Sequence, residues 1–359
     1  MSALTLYAGP VARERILQEG IRPEQFKVLV GASGGPKWFV LYGLDRFLFG
    51  DFFKGRTSPL LTIGSSAGAW RLCCLATADP LAAIDQLARR YSRESYSDAP
   101  TTAEITDKMR AMLNDVIGQR GIAEIVHNPV FCTHIVADRC KGLGNASSLA
   151  LRRVFLGGSA LANAFSRSAL SWFFQRTVFS SLGEECPWHA PDKLDTRVVA
   201  LTENNGLDAL LSSGSIPFVL DGVRDISGGP PGLYLDGGII DYHFDFRFAT
   251  DDELVLYPHF SPAVIPGWFD KFLPWRKINP DNFNNVLFLV PSADFVGSLP
   301  HGKIPDRNDF AKFPVHERLA NWETVLQKSS ILAAEFAELV EGVVSPDRLR
   351  PLQELRRQG

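Results

Sequence analysis

Three short motifs bring together residue types suited to acyl chemistry. Gly64-Ser65-Ser66-Ala67-Gly68 is a G-x-S-x-G run lying between an apolar β-type stretch at 60–63 and a helical pattern. In that context the motif reads as a nucleophile elbow. Small neighbours permit the strained turn, and the turn lifts the Ser66 hydroxyl out at a helix N-terminus, where the dipole favours a developing anion. Gly31-Ala32-Ser33-Gly34-Gly35 repeats the pattern between an apolar run at 28–30 and a second helical stretch. Its glycine amides suit an oxyanion, and Pro36 suits a first helical position. A phosphate loop is excluded there, because Pro36 stands where glycine should precede Lys37. The spacing of a dinucleotide turn is missing too. Asp236-Gly237-Gly238 follows a third apolar run at 233–235, and a carboxylate at a Gly-Gly turn can approach other backbone closely. From the loops alone, either G-x-S-x-G can be the nucleophile and the other the oxyanion loop.

Positioning these groups requires strands that end where the motifs begin. Apolar runs at 28–30, 60–63, 131–137, 197–201, 233–235, 254–257 and 286–290 predict strands. Helical patterns are expected at about 37–49, 80–91, 101–119, 160–179 and 315–340. In the third of these, Thr101 and Glu104 fit a capping box and Gly121 a C-cap. In the last, Leu319, Trp322, Leu326, Ile331, Phe336 and Val340 fall roughly on one face. Such alternation predicts an α/β fold, a mostly parallel sheet between helices. Residues 26–246 are expected to form the core. Residues 1–25 would pack on it as an extension, and 247–359 would complete the same domain.

With 359 residues, 45% of them apolar and 21% charged, the chain has the composition of an ordinary globular protein. Its 37 basic and 40 acidic residues give a net charge of −3, which offers nucleic acid no general attraction. The five cysteines, Cys73, Cys74, Cys132, Cys140 and Cys186, form no C-x-x-C pair, so a structural zinc site is not expected and reduced thiols are. No signal peptide is expected at the N-terminus. The longest uncharged stretch, 254–269, holds three prolines and suits no transmembrane helix. A cytoplasmic protein, peripheral on membranes at most, is the expectation.

The ordered set of motifs resembles the patatin-like phospholipases. Ser33-Gly34-Gly35-Pro36-Lys37 is similar to that family's oxyanion loop, Gly64-Ser65-Ser66-Ala67-Gly68-Ala69 to its elbow, and Asp236-Gly237-Gly238 to its D-G-G/A. Ser213-Gly214-Ser215-Ile216-Pro217-Phe218 is similar to a further family stretch. Ser33 and Trp38 stand where the family has glycines. The resemblance spans roughly 26–242 and implies a three-layer α/β fold. It also implies lipid acyl hydrolysis by a serine–aspartate dyad, Ser66 with Asp236, of phospholipase A or lysophospholipase type. Gly34 and Gly35 would form the oxyanion hole, supported by Lys37, Gly64, Gly68, Gly237 and Gly238. The substrate would be a lipid ester, and no step needs a metal or cofactor.

Two other readings stay open. His243, seven residues after Asp236, would complete the serine–aspartate–histidine order of an α/β-hydrolase esterase. A relative that kept the fold but binds lipid or protein without catalysis is the third possibility. Phe260, Trp268, Phe269, Phe272 and Trp275 lie near Lys271, Arg276 and Lys277 in a Pro-rich stretch. Aromatics beside cations suit a membrane interface, so Trp268, Phe269, Phe272 and Trp275 are expected to touch bilayers, the alternative being packing into the core.

Overall fold

The computed structural model describes residues 2–183, 192–248 and 253–355. Its strands are β1 (Leu4–Ala8), β2 (Phe26–Gly31), β3 (Leu60–Ser65), β4 (Phe131–Cys140), β5 (Phe174–Ser180), β6 (Thr196–Ala200), β7 (Val223–Arg224), β8 (Leu233–Asp236), β9 (Leu254–Pro258), β10 (Val286–Pro291) and β11 (Leu349–Pro351). They make one sheet in the order β11-β1-β10-β9-β2-β3-β4-β5-β6, with β8 beside β4 and β7 beside β8. The central run β10-β9-β2-β3-β4 is parallel throughout, and helices flank the sheet. This is the expected three-layer α/β architecture. β2, β3, β9 and β10 are almost wholly buried, which is why they read as unbroken apolar runs rather than alternating ones.

Strand register does the work of bringing the motifs together. β2 and β3 are parallel neighbours, with Gly31 opposite Gly64, so both glycine-rich loops leave the sheet side by side. β4 is longer than β3. Its first part pairs with β3 as far as Ser65 opposite Val136. Its next residue, Ala137, pairs with Asp236 of the antiparallel strand β8. β5 occupies the other edge of β4 from His134 to Cys140. β3 and β8 must therefore share one edge, meeting end to end, and the residues at their tips meet too.

Several helices differ from expectation. The stretch expected as a helix at 160–179 divides into a helix, Leu149–Phe165, a 3₁₀ segment, Arg167–Trp172, and strand β5. Short apolar runs do not separate a buried strand from a helix, and here Thr177, Val178 and Phe179 pair with β4. The stretch at 37–49 is a succession of 3₁₀, α and π turns, Gly35–Leu41, Tyr42–Phe47 and Leu48–Phe52. Thr101 caps Thr102–Val116 by accepting from the Glu104 amide at 3.1 Å, but the Glu104 carboxylate turns to Ser97 instead of closing the box. That helix ends at Ile117, where Gly118 takes φ 59°; Gly121 lies inside the next helix, Gly118–Val126. The last helix breaks into Val315–Lys328 and Ser330–Glu341. At the break the Ser329 hydroxyl accepts from the Gly43 amide at 2.8 Å, and the shift of phase buries Leu332 and exposes Ile331.

Candidate active site

Ser66 sits between β3 and the helix Ala67–Leu75 at φ 53°, ψ −131°. Left-handed backbone at a non-glycine residue costs on the order of 1–3 kcal/mol and persists only where the surroundings enforce it. The enforcement is visible. The Ser66 amide donates to Ser213 Oγ at 2.9 Å, and that hydroxyl donates onward to the Val136 carbonyl at 2.6 Å. The Ser65 hydroxyl donates to the Asp241 carbonyl at 2.6 Å. Trp70 pins the following helix through its indole N–H, which donates to the Leu210 carbonyl at 2.8 Å. At Gly68 a side chain would be impossible without movement, since a Cβ would lie 2.1 Å from the Gly31 carbonyl oxygen. Helix backbone and the backbone of the 31–35 loop touch there.

The Ser66 hydroxyl donates to Asp236 Oδ2 at 2.8 Å. Asp236 is held at its other oxygen by the Gly238 amide, 2.7 Å away, and at its own amide by the Ser215 carbonyl at 2.9 Å. Both residues of the pair are only 5% exposed. Burial pushes the Asp236 carboxyl up to about 6, while the Gly238 amide, the Ser66 hydroxyl and the charges of Lys271 and Arg307 pull the other way.

Ser33 borders this pair through Gly238, and Gly34 and Gly35 follow it in the same loop. Ser33 Oγ lies against Gly238, 2.6 Å from where a Cβ would stand, and the Ser33 amide donates to the Tyr242 carbonyl at 3.0 Å. Gly35 has φ 54°, and a Cβ on Gly34 would strike the Phe260 ring at 2.6 Å. Gly64 and Gly237 pack against backbone, of Ala69 and Val136 respectively. Lys37 is half-buried. Its ammonium donates to the Tyr242 hydroxyl at 3.3 Å and lies 5.2 Å from the Phe260 ring centroid, and burial lowers its pKa. Lys271 Nζ stands 3.6 Å from the centroid of the same Tyr242 ring, and burial together with Lys37 and Arg307 brings it down to about 7.

His243 does not join. Its Nδ1 accepts from the Ile265 amide at 2.9 Å, its ring lies 4.2 Å from that of His259, and burial keeps it well below the usual histidine range. No described histidine hydrogen-bonds to Ser66 or Asp236. Among the described residues no cluster of three His, Cys, Asp or Glu side chains is arranged to hold a metal. Cys73, Cys74, Cys132 and Cys140 are free and buried; Cys186 lies outside the described residues.

No family model and no curated protein matches the chain. Among solved structures, VipD from Legionella pneumophila aligns at 14% identity with a TM-score of 0.32, over 66% of this chain. The alignment spans 50% of that protein's length. At that level the likeness bears on neither fold nor activity, and the geometry above stands by itself.

The groups that brace the pair carry no local signal in the sequence. Ser213 and Ser215 lay in a recognised stretch but carried no assigned role, and nothing local shows that one holds Ser66 and the other Asp236. In sequence Lys271 reads only as an interface cation, and nothing marks Tyr242, which meets the ammonium groups of both Lys37 and Lys271. Phe260 is buried, Trp268 and Phe269 are half-buried, and Phe272 and Trp275 are exposed. No described helix is long and apolar enough to cross a membrane.

Proposed function

We propose that this chain is a serine acyl hydrolase acting on lipid esters, a patatin-like phospholipase of A or lysophospholipase type. The observation that carries the reading is the direct 2.8 Å hydrogen bond from a strained, elbow-positioned serine to a buried carboxylate whose pKa has risen to about 6. In this mechanism Asp236 takes the Ser66 proton as Oγ attacks the ester carbonyl, then returns it to the leaving alcohol. A free carboxylate near 3.9 is a poor base for a hydroxyl, and burial of Asp236 improves the match. The amides of Gly34 and Gly35 hold the tetrahedral oxyanion, each donor of this kind being worth about 3–4 kcal/mol. Water then releases the acyl group; a lysolipid acceptor in its place gives transacylation.

The same bond disfavours a histidine triad, since Asp236 serves Ser66 itself and His243 serves Ile265. A non-catalytic scaffold has no need of a strained Ser66. The test is a fluorophosphonate probe followed by lipid-extract turnover read by mass spectrometry. Wild type should label and release fatty acid, and Ser66→Ala should do neither. Equal labelling of both proteins would sink the reading.

A further inference from the structure

The helix Leu149–Phe165 buries Phe155, Leu156, Ser159 and Asn163, yet its other side is apolar as well. Leu151, Val154, Leu161 and Phe165 are exposed, Phe165 at 85%. At 3.6 residues per turn these four fall within an arc of about 80°, roughly opposite the buried set. Trp172, in the 3₁₀ segment that folds back on this helix, is 78% exposed; Phe272 is 81% exposed and Trp275 60%. The segment Arg167–Trp172 and the stretch 268–276 each pack against this helix. Asn163 Nδ2 donates to Asp270 Oδ1 at 2.7 Å, Arg276 donates to the Asn163 carbonyl, and the Phe155 and Phe173 rings lie 5.6 Å apart. Soluble chains rarely leave so much large apolar surface on one lobe without a use.

The charge pattern selects the occupant. From Arg139 to Gly183 the chain carries no carboxylate. Of its six basic residues there, Arg167 and Arg176 pair with Asp192 and Asp241, and Lys141 with Asp195, so the positive charge of this face comes from Arg152 and Arg153 on the helix. Arg153 is exposed on the apolar helix, and Lys277 is exposed two residues from Trp275. Exposed tryptophan and phenylalanine flanked by cations match the headgroup layer of an anionic membrane. The lobe also adjoins the candidate site, because Lys271, next to Phe272, is the cation over Tyr242.

We propose that this face, Leu151, Val154, Leu161 and Phe165 with Trp172, Phe272 and Trp275, docks on a bilayer containing anionic lipid. The inference goes beyond the hydrolase reading and does not depend on it. Sedimentation with vesicles of phosphatidylcholine, with and without phosphatidylglycerol, tests it directly. Wild type and Ser66→Ala should both sediment, more strongly with phosphatidylglycerol, so failure of docking and failure of catalysis are read separately. Phe165→Ser/Trp172→Ser and Phe272→Ser/Trp275→Ser should each weaken partitioning by about 10-fold or more. Arg153→Glu/Lys277→Glu should remove the preference for phosphatidylglycerol. Circular dichroism checks the fold of each, and the tryptophan emission of wild type should shift blue on vesicles, which needs no variant. A wild type that stays in the supernatant overturns the proposal, as do aromatic variants that bind undiminished. So does a wild type that self-associates without binding vesicles while the aromatic variants are monomeric, which would make this a contact between copies of the chain.

Discussion

The Ser66 hydroxyl hydrogen-bonds to Asp236 at 2.8 Å because β3 and β8 end nose to nose on the same edge of β4. The pairing is a product of register, with Ser65 opposite Val136 and Asp236 opposite the very next residue of β4. Turnover of a short nitrophenyl ester should follow this geometry. Ser66→Ala should be inactive, and Asp236→Asn should lose about 10²–10⁴ in rate, the usual cost of a missing general base. Ser33→Ala should be far milder, since its loop would contribute backbone donors. An inactive Ser33→Ala beside an active Ser66→Ala would reverse the two loops.

The acidic limb of the pH–rate profile should report Asp236. In the proposed mechanism Asp236 works as a base only when ionised, so kcat/KM should climb as pH rises through about 6. Lys271 and Arg307 both favour the ionised form. Removing one of those charges with Lys271→Met should therefore move the limb to higher pH. A limb that stays put in Lys271→Met, in a folded protein, would disconnect that lysine from the base.

Asp236 should also cost stability. Its folded pKa, about 6, lies above the ordinary carboxyl value of 3.8, so between those values the folded state binds more protons than the unfolded one. Stability is then lost as pH rises through that window, by about 2–3 kcal/mol in full. Asp236→Asn removes the penalty while its side-chain oxygen can still accept from Gly238. Denaturant melts should find the variant more stable than wild type at pH 8 and the gap closing below about pH 4. A variant less stable at pH 8 would mean that its lost hydrogen bonds outweigh the buried charge.

Much of this site was legible in the sequence, because the elbow, the Gly-rich loop and the D-G-G turn each follow a strand and a strand's end is a local signal. The bracing was not. Ser213 reaches Ser66 across 147 positions, and Ser215 reaches Asp236 through its backbone, which no residue type advertises. Helix ends are not local signals where tertiary contacts decide them, as at Ser329 crossing Gly43. β5 reads as helix in sequence because a strand buried against β4 loses its alternation.

His243 separates structural from catalytic need. Its ring is buried against Tyr242, His259 and Phe260, and its Nδ1 satisfies the Ile265 amide. His243→Ala should therefore destabilise by about 2–4 kcal/mol through cavity and lost hydrogen bond. At a temperature where it is folded, its kcat should remain close to wild type. Loss of turnover as deep as that of Asp236→Asn would restore the triad.

Gly68 is where stability and chemistry meet most closely. A Cβ there would lie 2.1 Å from the Gly31 carbonyl oxygen and 2.7 Å from that of Ala32, both of them backbone that cannot rotate away. Gly68→Ala must push the helix Ala67–Leu75 off the loop that carries Gly34 and Gly35. Overpacking of this kind costs roughly 1–3 kcal/mol, with backbone contacts at the upper end. It should also widen the gap between Ser66 and the proposed oxyanion donors, so the folded variant should label slowly with fluorophosphonate although the Ser66–Asp236 bond can persist. Gly157→Ala is the matched control. Gly157 is helical, and a Cβ there meets nothing within 4 Å, so relief of glycine's backbone entropy should stabilise the protein by about 0.5–1 kcal/mol. Urea melts and labelling rates on the two variants decide the matter: a Gly68→Ala protein as stable and as reactive as Gly157→Ala would show that the elbow does not lean on the loop.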